Sequence, residues 1–236
     1  MTVRIGTAAS AAGAGTATAL LAGATGLVGR ALLVRLLAAD RRQRVIVLAR
    51  KPLPAAIARD PRLTVLVGDM AALAGEAGPI DDAYIALGTT IKVAGSEAAF
   101  RAVDLDLVVA IARRAREAGA RRLAVVSALG ADRRSRVFYN RVKGEMEETV
   151  AALGYESVVF ARPSLLLGDR ASLGQPTRAG EVWAARLLGP LLPIVPASVR
   201  PIAATVVAAA TVDALDHAEP GTRVLSSADL QRLGRG

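Results

Sequence analysis

The sequence contains no cysteine and a single histidine, His217. Without cysteine there are no disulfides, no thiolate metal sites and no cysteine nucleophile. A Ser-His-Asp hydrolase would have to use His217, and no Gly-x-Ser-x-Gly elbow accompanies it. Flanked by Asp216 and Glu219, His217 reads as a surface residue at a helix end. Aromatic residues make up 3% of the chain against an apolar fraction of 53%, so the core must be aliphatic. No apolar stretch runs far enough without Gly or charge to span a bilayer, and the expected location is the cytoplasm. Lysine is scarce too: of 30 basic residues only Lys51, Lys92 and Lys143 are lysines, so arginine carries most of the formal charge of +9. Arg113, Arg114 and Arg116, followed by Arg121 and Arg122, fall at the end of an expected helix, where cations offset the dipole. No aromatic residues interleave with them to stack bases, which argues for a solvated basic face and against a nucleic-acid surface.

A length of 236 residues suits one α/β domain with a small appended lobe. The first 15 residues, rich in Ala, Gly, Ser and Thr, read as a disordered tail, leaving 16–236 as the domain. Short aliphatic runs at Ala17–Ala22, Val45–Ala49, Leu63–Val67, Ala83–Leu87, Leu123–Ser127 and Ser157–Ala161 are nearly continuous in apolar residues, as in strands buried on both faces. Helices are expected over Leu27–Ala39, Ser96–Ala118, Tyr139–Leu153, Gly180–Leu188 and Ile202–Leu215. In the second of these, Phe100, Val103, Leu107 and Ile111 follow a helical period, and Ser96 is an N-cap. Alternation of strands and helices predicts a doubly wound parallel sheet of the Rossmann type. Gly and Pro are dense over 168–201, which reads as a substrate-side segment. Within it Val182, Trp183, Leu187 and Leu188 form an amphipathic face. That face either closes over a cleft or packs permanently on the core.

Between the first strand and first helix lies Gly23-Ala24-Thr25-Gly26-Leu27-Val28-Gly29. Strand, glycine turn and helix place a diphosphate at a helix N-terminus, where unpaired N–H groups and the positive dipole end meet the anion. The glycines allow a tight turn and close approach of backbone to phosphate. The second strand ends in Arg50-Lys51. An acid here would bond the 2′-hydroxyl of NAD, whereas cations suit the 2′-phosphate of NADP. This favours NADP(H), the alternative being an ordinary basic loop. Tyr139 and Lys143 lie one helical turn apart, beside the stripe Val142, Met146, Val150 and Leu153. One reading makes Lys143 a snorkelling partner of Glu147 and Tyr139 plain core. The other takes in Ser127, which ends a strand 12 residues earlier on the edge where open α/β sheets bind ligands.

With the glycine turn, Ser127, Tyr139 and Lys143 resemble the short-chain dehydrogenase/reductase superfamily over roughly residues 16–230. The resemblance implies that Tyr139 is the general acid/base. It implies that Lys143 tunes Tyr139 and binds the nicotinamide ribose, and that Ser127 polarises the substrate carbonyl. It further implies that Asp69, after Gly68, bonds the adenine amino group and that Leu87-Gly88-Thr89 lines the cofactor ribose. Arg162-Pro163-Ser164 would border the nicotinamide. Gly23 to Gly29, Leu87 to Thr90, Ser127 to Ala131 and Phe138 to Gly144 resemble the atypical subgroup that contains the Tat-interacting protein. Two features depart from the wider family. Asp104 falls where many members carry an Asn that holds a relay water, and the segment after Gly168 is short for a nucleotide-sugar epimerase. The function expected is NADP(H)-dependent oxidoreduction of a small carbonyl or alcohol. The alternatives are an NADPH-sensing regulator with little turnover and an epimerase-like enzyme. Monomer and homodimer both remain open.

Overall fold

A computed structural model describes residues 3–5, 17–39, 41–54, 59–167, 196 and 198–234. The elements run β1 (Val3–Ile5), β2 (Ala17–Ala22), α1 (Leu27–Ala38), β3 (Arg42–Ala49), β4 (Leu63–Val67), α2 (Met70–Glu76), β5 (Asp82–Ile85), α3 (Ile91–Ala94) and α4 (Glu97–Arg101). A π-helical turn over Ala102–Leu107 joins α4 to α5 (Val108–Glu117). Then follow β6 (Arg122–Val126), α6 (Phe138–Ala151), β7 (Ser157–Ala161), β8 (Leu166–Leu167), β9 (Ile202–Ala203), α7 (Ala204–Asp216), β10 (Gly221–Leu225) and α8 (Ser227–Leu233).

The main sheet has the order β1-β4-β3-β2-β5-β6-β7-β10. Its strands are parallel except β1, which lies antiparallel on β4. The sheet is the expected doubly wound one, and each face is covered by helices. Ala19, Leu21, Val45 and Val47 point into a core with Leu32, Leu33 and Leu36 of α1, Val207 of α7 and Leu230 of α8. Leu20, Ala22, Ile46 and Leu48 point the other way, onto Met70 and Leu73 of α2, Ile111 of α5 and Val142, Met146 and Val150 of α6. Neighbouring strand residues thus enter opposite cores, which is why the strand runs are apolar without alternation.

The structure differs from the sequence expectations in several places. Val3–Ile5 forms a strand inside the segment read as a disordered tail, where β-branched Val3 and Ile5 flank Arg4. Strand β10 escapes the apolar-run criterion because it is an edge strand whose first four residues are exposed. Of the stripe Phe100, Val103, Leu107 and Ile111, Phe100 and Ile111 are buried while Val103 and Leu107 are only partly so. Across the π turn, Asp104, Leu105 and Val108 are buried with Phe100 and Ile111. Ile202–Ala203 pairs with β8, so α7 starts at Ala204. Most of segment 168–201, with the helix expected over Gly180–Leu188 and Trp183, lies outside the described residues.

At the N-terminal ends of the strands sits a buried charge network. Asp82, the first residue of β5, is fully buried and accepts from Arg122 Nε at 2.7 Å and Nη2 at 2.9 Å. Arg42, the first residue of β3, reaches Asp82 at 3.3 Å and the Tyr84 hydroxyl at 2.6 Å, and pairs with Asp216 at the end of α7. Arg42 and Arg122 are therefore structural cations, not part of a solvated basic face. Burial pushes the Tyr84 hydroxyl well above the ordinary tyrosine range, and does the same to Tyr155, which donates to the Ala112 carbonyl at 2.6 Å.

Removing Asp82 takes the carboxylate from Arg122 and one of two carboxylate partners from the buried Arg42. Asp82→Ala is expected to cost about 3–5 kcal/mol in urea unfolding. The two tyrosines give an alkaline signature. An acid whose folded-state pKa is raised contributes stability that is whole below its unfolded value of about 10 and declines as pH rises above it. Urea midpoints should fall above that pH, and Tyr155→Phe should flatten the fall.

Candidate functional site

Strand order reverses between β2 and β5, whose carboxyl ends bound the crevice where open α/β sheets take ligands. The glycine turn fills one wall of this crevice. Gly23 has φ +95°, and a Cβ added there would lie 2.5 Å from the Ala86 carbonyl oxygen that follows β5. A Cβ on Gly29 would fall 1.9 Å from the Gly23 oxygen. Helix α1 is thus seated directly against the turn, and the turn against β5. Gly26 differs: its added Cβ meets the Gly23 oxygen at 3.3 Å and otherwise little protein. Gly26 is also the N-cap of α1, and no side chain caps that end. The first N–H groups of Leu27, Val28 and Gly29 are available to an anion. Thr25 in the turn is exposed.

Arg50 and Lys51 stand exposed just past the end of β3. Asp69 is exposed at the start of α2, where its Oδ1 accepts from the N–H groups of Ala71 and Ala72 at 2.9 and 3.3 Å. It is the N-cap of that helix.

Beyond β5, the loop Leu87-Gly88-Thr89 passes over a buried ion pair. Lys143 Nζ lies 2.7 Å from Asp104 Oδ1, with the two side chains 3% and 1% exposed. The other oxygen of Asp104 accepts the Thr89 N–H at 2.8 Å. A Cβ on Gly88 would lie 3.4 Å from Asp104 Oδ1 and 3.9 Å from Lys143 Nζ. Asp104 lies within the π turn. The sequence offered Glu147 as the partner of Lys143, but Glu147 is engaged by Arg162 Nη2 at 2.6 Å and Nε at 3.0 Å. That contact holds the Arg162 guanidinium above its usual pKa. The signal for the true pair was present: Asp104 lies four residues after Phe100 and seven before Ile111, on an apolar stripe where an acid needs a partner.

Ser127 follows β6 and donates its N–H to the Ala161 carbonyl of β7 at 2.7 Å. Its hydroxyl is buried and makes no hydrogen bond among the described residues. The loop after Ser127 is clamped to α6. The Asp132 N–H donates to the Asn140 carbonyl at 3.0 Å, and any Cβ on Gly144 would fall within 2.2 Å of the Asp132 and Arg133 backbone. Tyr139, half-buried on the first turn of α6, packs its ring 5.5 Å from Phe100. The Leu129 N–H reaches the Pro163 carbonyl at 3.0 Å, joining the loops after β6 and β7. Ser164, which accepts from the Ser227 hydroxyl at 3.0 Å, ties that second loop to α8. The carboxyl edge therefore carries an uncapped helix end, a glycine cradle, a buried ammonium with its counter-ion and a hydroxyl without a partner among the described residues.

The model of a family described as NAD(P)H-binding matches residues 23–165. The chain belongs to this family. Protein FMP52, mitochondrial, of Eremothecium gossypii is 38% identical over 154 residues, covering 64% of this chain and 67% of that protein. The fmp52 protein of Emericella nidulans is 40% identical over 156 residues, with the same coverage. These relatives are named mitochondrial, which overturns the expected cytoplasmic location. That expectation rested on finding no spanning segment, and such a finding carries no address. No helix of the described residues is long and apolar enough to cross a membrane. Among solved structures, the dTDP-glucose 4,6-dehydratase of Streptomyces venezuelae with NAD bound has a TM-score of 0.69. It is 18% identical, over 92% of this chain and 79% of that one. The ADP-L-glycero-D-manno-heptose-6-epimerase of Helicobacter pylori follows at 0.68, with 15% identity over 90% and 77%. At such identities the likeness is one of fold, a Rossmann-type α/β architecture.

The three glycines should separate by substitution. Gly23→Ala and Gly29→Ala force backbone apart and are expected to lower stability by about 1–3 kcal/mol or more. Gly26→Ala should melt close to the parent protein. Thermal unfolding of the three variants distinguishes them.

Proposed function

We propose that the chain is an NADP(H)-dependent oxidoreductase that interconverts a small carbonyl and its alcohol, with Ser127, Tyr139 and Lys143 as its catalytic set. The observation that carries this reading is the Ser127 hydroxyl, buried at the carboxyl edge of the sheet with no partner among the described residues. A buried hydroxyl left unpaired costs about 1–3 kcal/mol, so a ligand oxygen is its natural complement.

The residues present fit the cofactor. Gly23, Gly26 and the N–H groups of Leu27, Val28 and Gly29 would hold the diphosphate, since no side chain competes for that helix end. Arg50 and Lys51 would take the 2′-phosphate. Asp69 keeps one carboxylate oxygen outside its cap bonds, which supports a contact to the adenine. Leu87, Gly88, Thr89 and Lys143 would border the ribose, and Arg162, Pro163 and Ser164 the nicotinamide end, with Arg162 contributing as an anchored wall. Bound NADP(H) supplies a carbon that gives or accepts hydride. The chain's own groups do the rest. Ser127 donates a hydrogen bond to the reacting oxygen, Tyr139 exchanges the proton through its hydroxyl, and Lys143 orients both.

A second reading is favoured by the Lys143–Asp104 pair. A lysine whose charge is offset at 2.7 Å assists proton transfer less than a free one, which suits a cofactor-sensing regulator with little turnover.

Fluorescence titration should give tighter binding of NADPH than of NADH. Arg50→Ala should weaken NADPH by about 1–3 kcal/mol and leave NADH nearly unchanged. Equal affinities for the two nucleotides in the parent protein sink the NADP assignment. With a carbonyl substrate, Tyr139→Phe should abolish turnover and keep NADPH affinity, while Ser127→Ala should slow turnover about 10²–10⁴-fold. A regulator would tolerate Tyr139→Phe.

A further inference from the structure

We propose that Asp104 is the positioning residue for Lys143, clamping the lysine and the loop after β5 into one unit. The inference rests on the cofactor site proposed above. Asp104 is held at two points: Oδ1 forms an ion pair with Lys143 Nζ at 2.7 Å, outside hydrogen-bond geometry, and Oδ2 accepts the Thr89 N–H at 2.8 Å. A carboxylate fixed at both ends cannot follow a wandering lysine, so the location of Nζ is set by a backbone N–H of the loop that would face the ribose. The absence of a side chain at Gly88 lets that loop lie against the pair, since a Cβ there would come within 3.4 Å of Asp104 Oδ1.

Three further observations point the same way. The helix from Glu97 to Glu117 departs from α geometry at Ala102–Leu107, the stretch that contains Asp104. Such turns carry a weaker hydrogen-bond pattern and persist where another interaction holds them. Glu147, the acid one turn along α6, is engaged by Arg162 and is not the partner of Lys143. Finally, neither group tolerates solitude at this depth. An ammonium and a carboxylate with 3% and 1% exposure are each costly unless paired. Where many relatives of the wider superfamily are expected to carry an amide, this chain carries a full negative charge. The lysine is thereby held in place before any ligand arrives, and movement of the Leu87–Thr90 loop moves it.

The test compares the parent protein, Asp104→Asn, Lys143→Met and the double variant, reading NADPH affinity by fluorescence and stability by thermal melting. Lys143→Met is expected to weaken NADPH at least tenfold. Asp104→Asn keeps an acceptor for Thr89 but loses the clamp, and should weaken NADPH by a similar factor. The double variant should bind NADPH no worse than Lys143→Met alone, yet melt higher than Asp104→Asn, because the unpaired buried cation is gone. A purely structural Asp104 would lower the melting temperature and leave NADPH affinity intact; that result, or losses that multiply in the double variant, overturns the proposal. Normal NADPH binding by Lys143→Met overturns the cofactor reading itself, and the proposal with it. Should Asp104→Asn fail to fold, Asp104→Glu keeps the charge and moves the oxygens by one carbon. Weakened NADPH binding is then expected, and parental affinity refutes the positioning role.

Discussion

A fully buried carboxylate at the start of β5 organises one end of this molecule. Asp82 cannot remain ionised in an apolar interior without partners, and it draws them from both flanking parts of the sheet. Arg122 comes from β6, and Arg42 comes from β3, two strands away across β2. The same two arginines then bind the end of α7, through Asp216 and the Leu215 carbonyl. Strand register and helix placement are thereby fixed together at the amino edge. The opposite edge is left free to be built from loops.

That opposite edge follows a different rule. The glycine turn leaves no space at Gly23 or Gly29, so backbone packs on backbone, and helix α1 points its bare N-terminus at the crevice. The loop after β6 is held to α6 by the same kind of contact at Gly144. Within this rigid frame two polar groups stand out. Lys143 forms an ion pair with Asp104, whereas the Ser127 hydroxyl has no partner of either kind among the described residues. At the amino edge the buried carboxylates and guanidinium groups pair with one another. At the carboxyl edge the Ser127 hydroxyl is buried without a hydrogen-bond partner among the described residues.

Much of this was legible from local patterns. Strands Ala17–Ala22, Leu63–Val67 and Ser157–Ala161 have the boundaries that their apolar runs predict, because strands buried on both faces need apolar residues at every position. The edge strand Gly221–Leu225 did not show itself, since a strand paired on one side can stay largely polar. The helix around Asp104 was visible and Phe100 and Ile111 are buried on it, but Asp104 was passed over, because a search for apolar positions does not pick out a buried acid. The pairing of Lys143 with Glu147 was a sound local inference. It failed because Arg162, which follows β7, takes Glu147.

The sequence by itself determined the doubly wound parallel sheet and the glycine turn between its first strand and helix in the domain. It also determined which residue types would stand at the carboxyl ends of the strands. These follow from short-range regularities: apolar runs, helical periods and the steric freedom of glycine. Tertiary structure alone decided which charges meet. Asp82 with Arg42, Lys143 with Asp104 and Glu147 with Arg162 are each separated by 15 residues or more, and all are contacts across elements. The physical reason is that an ion pair is specified by distance and burial in the assembled fold, and neither quantity is written in the spacing of residues along the chain.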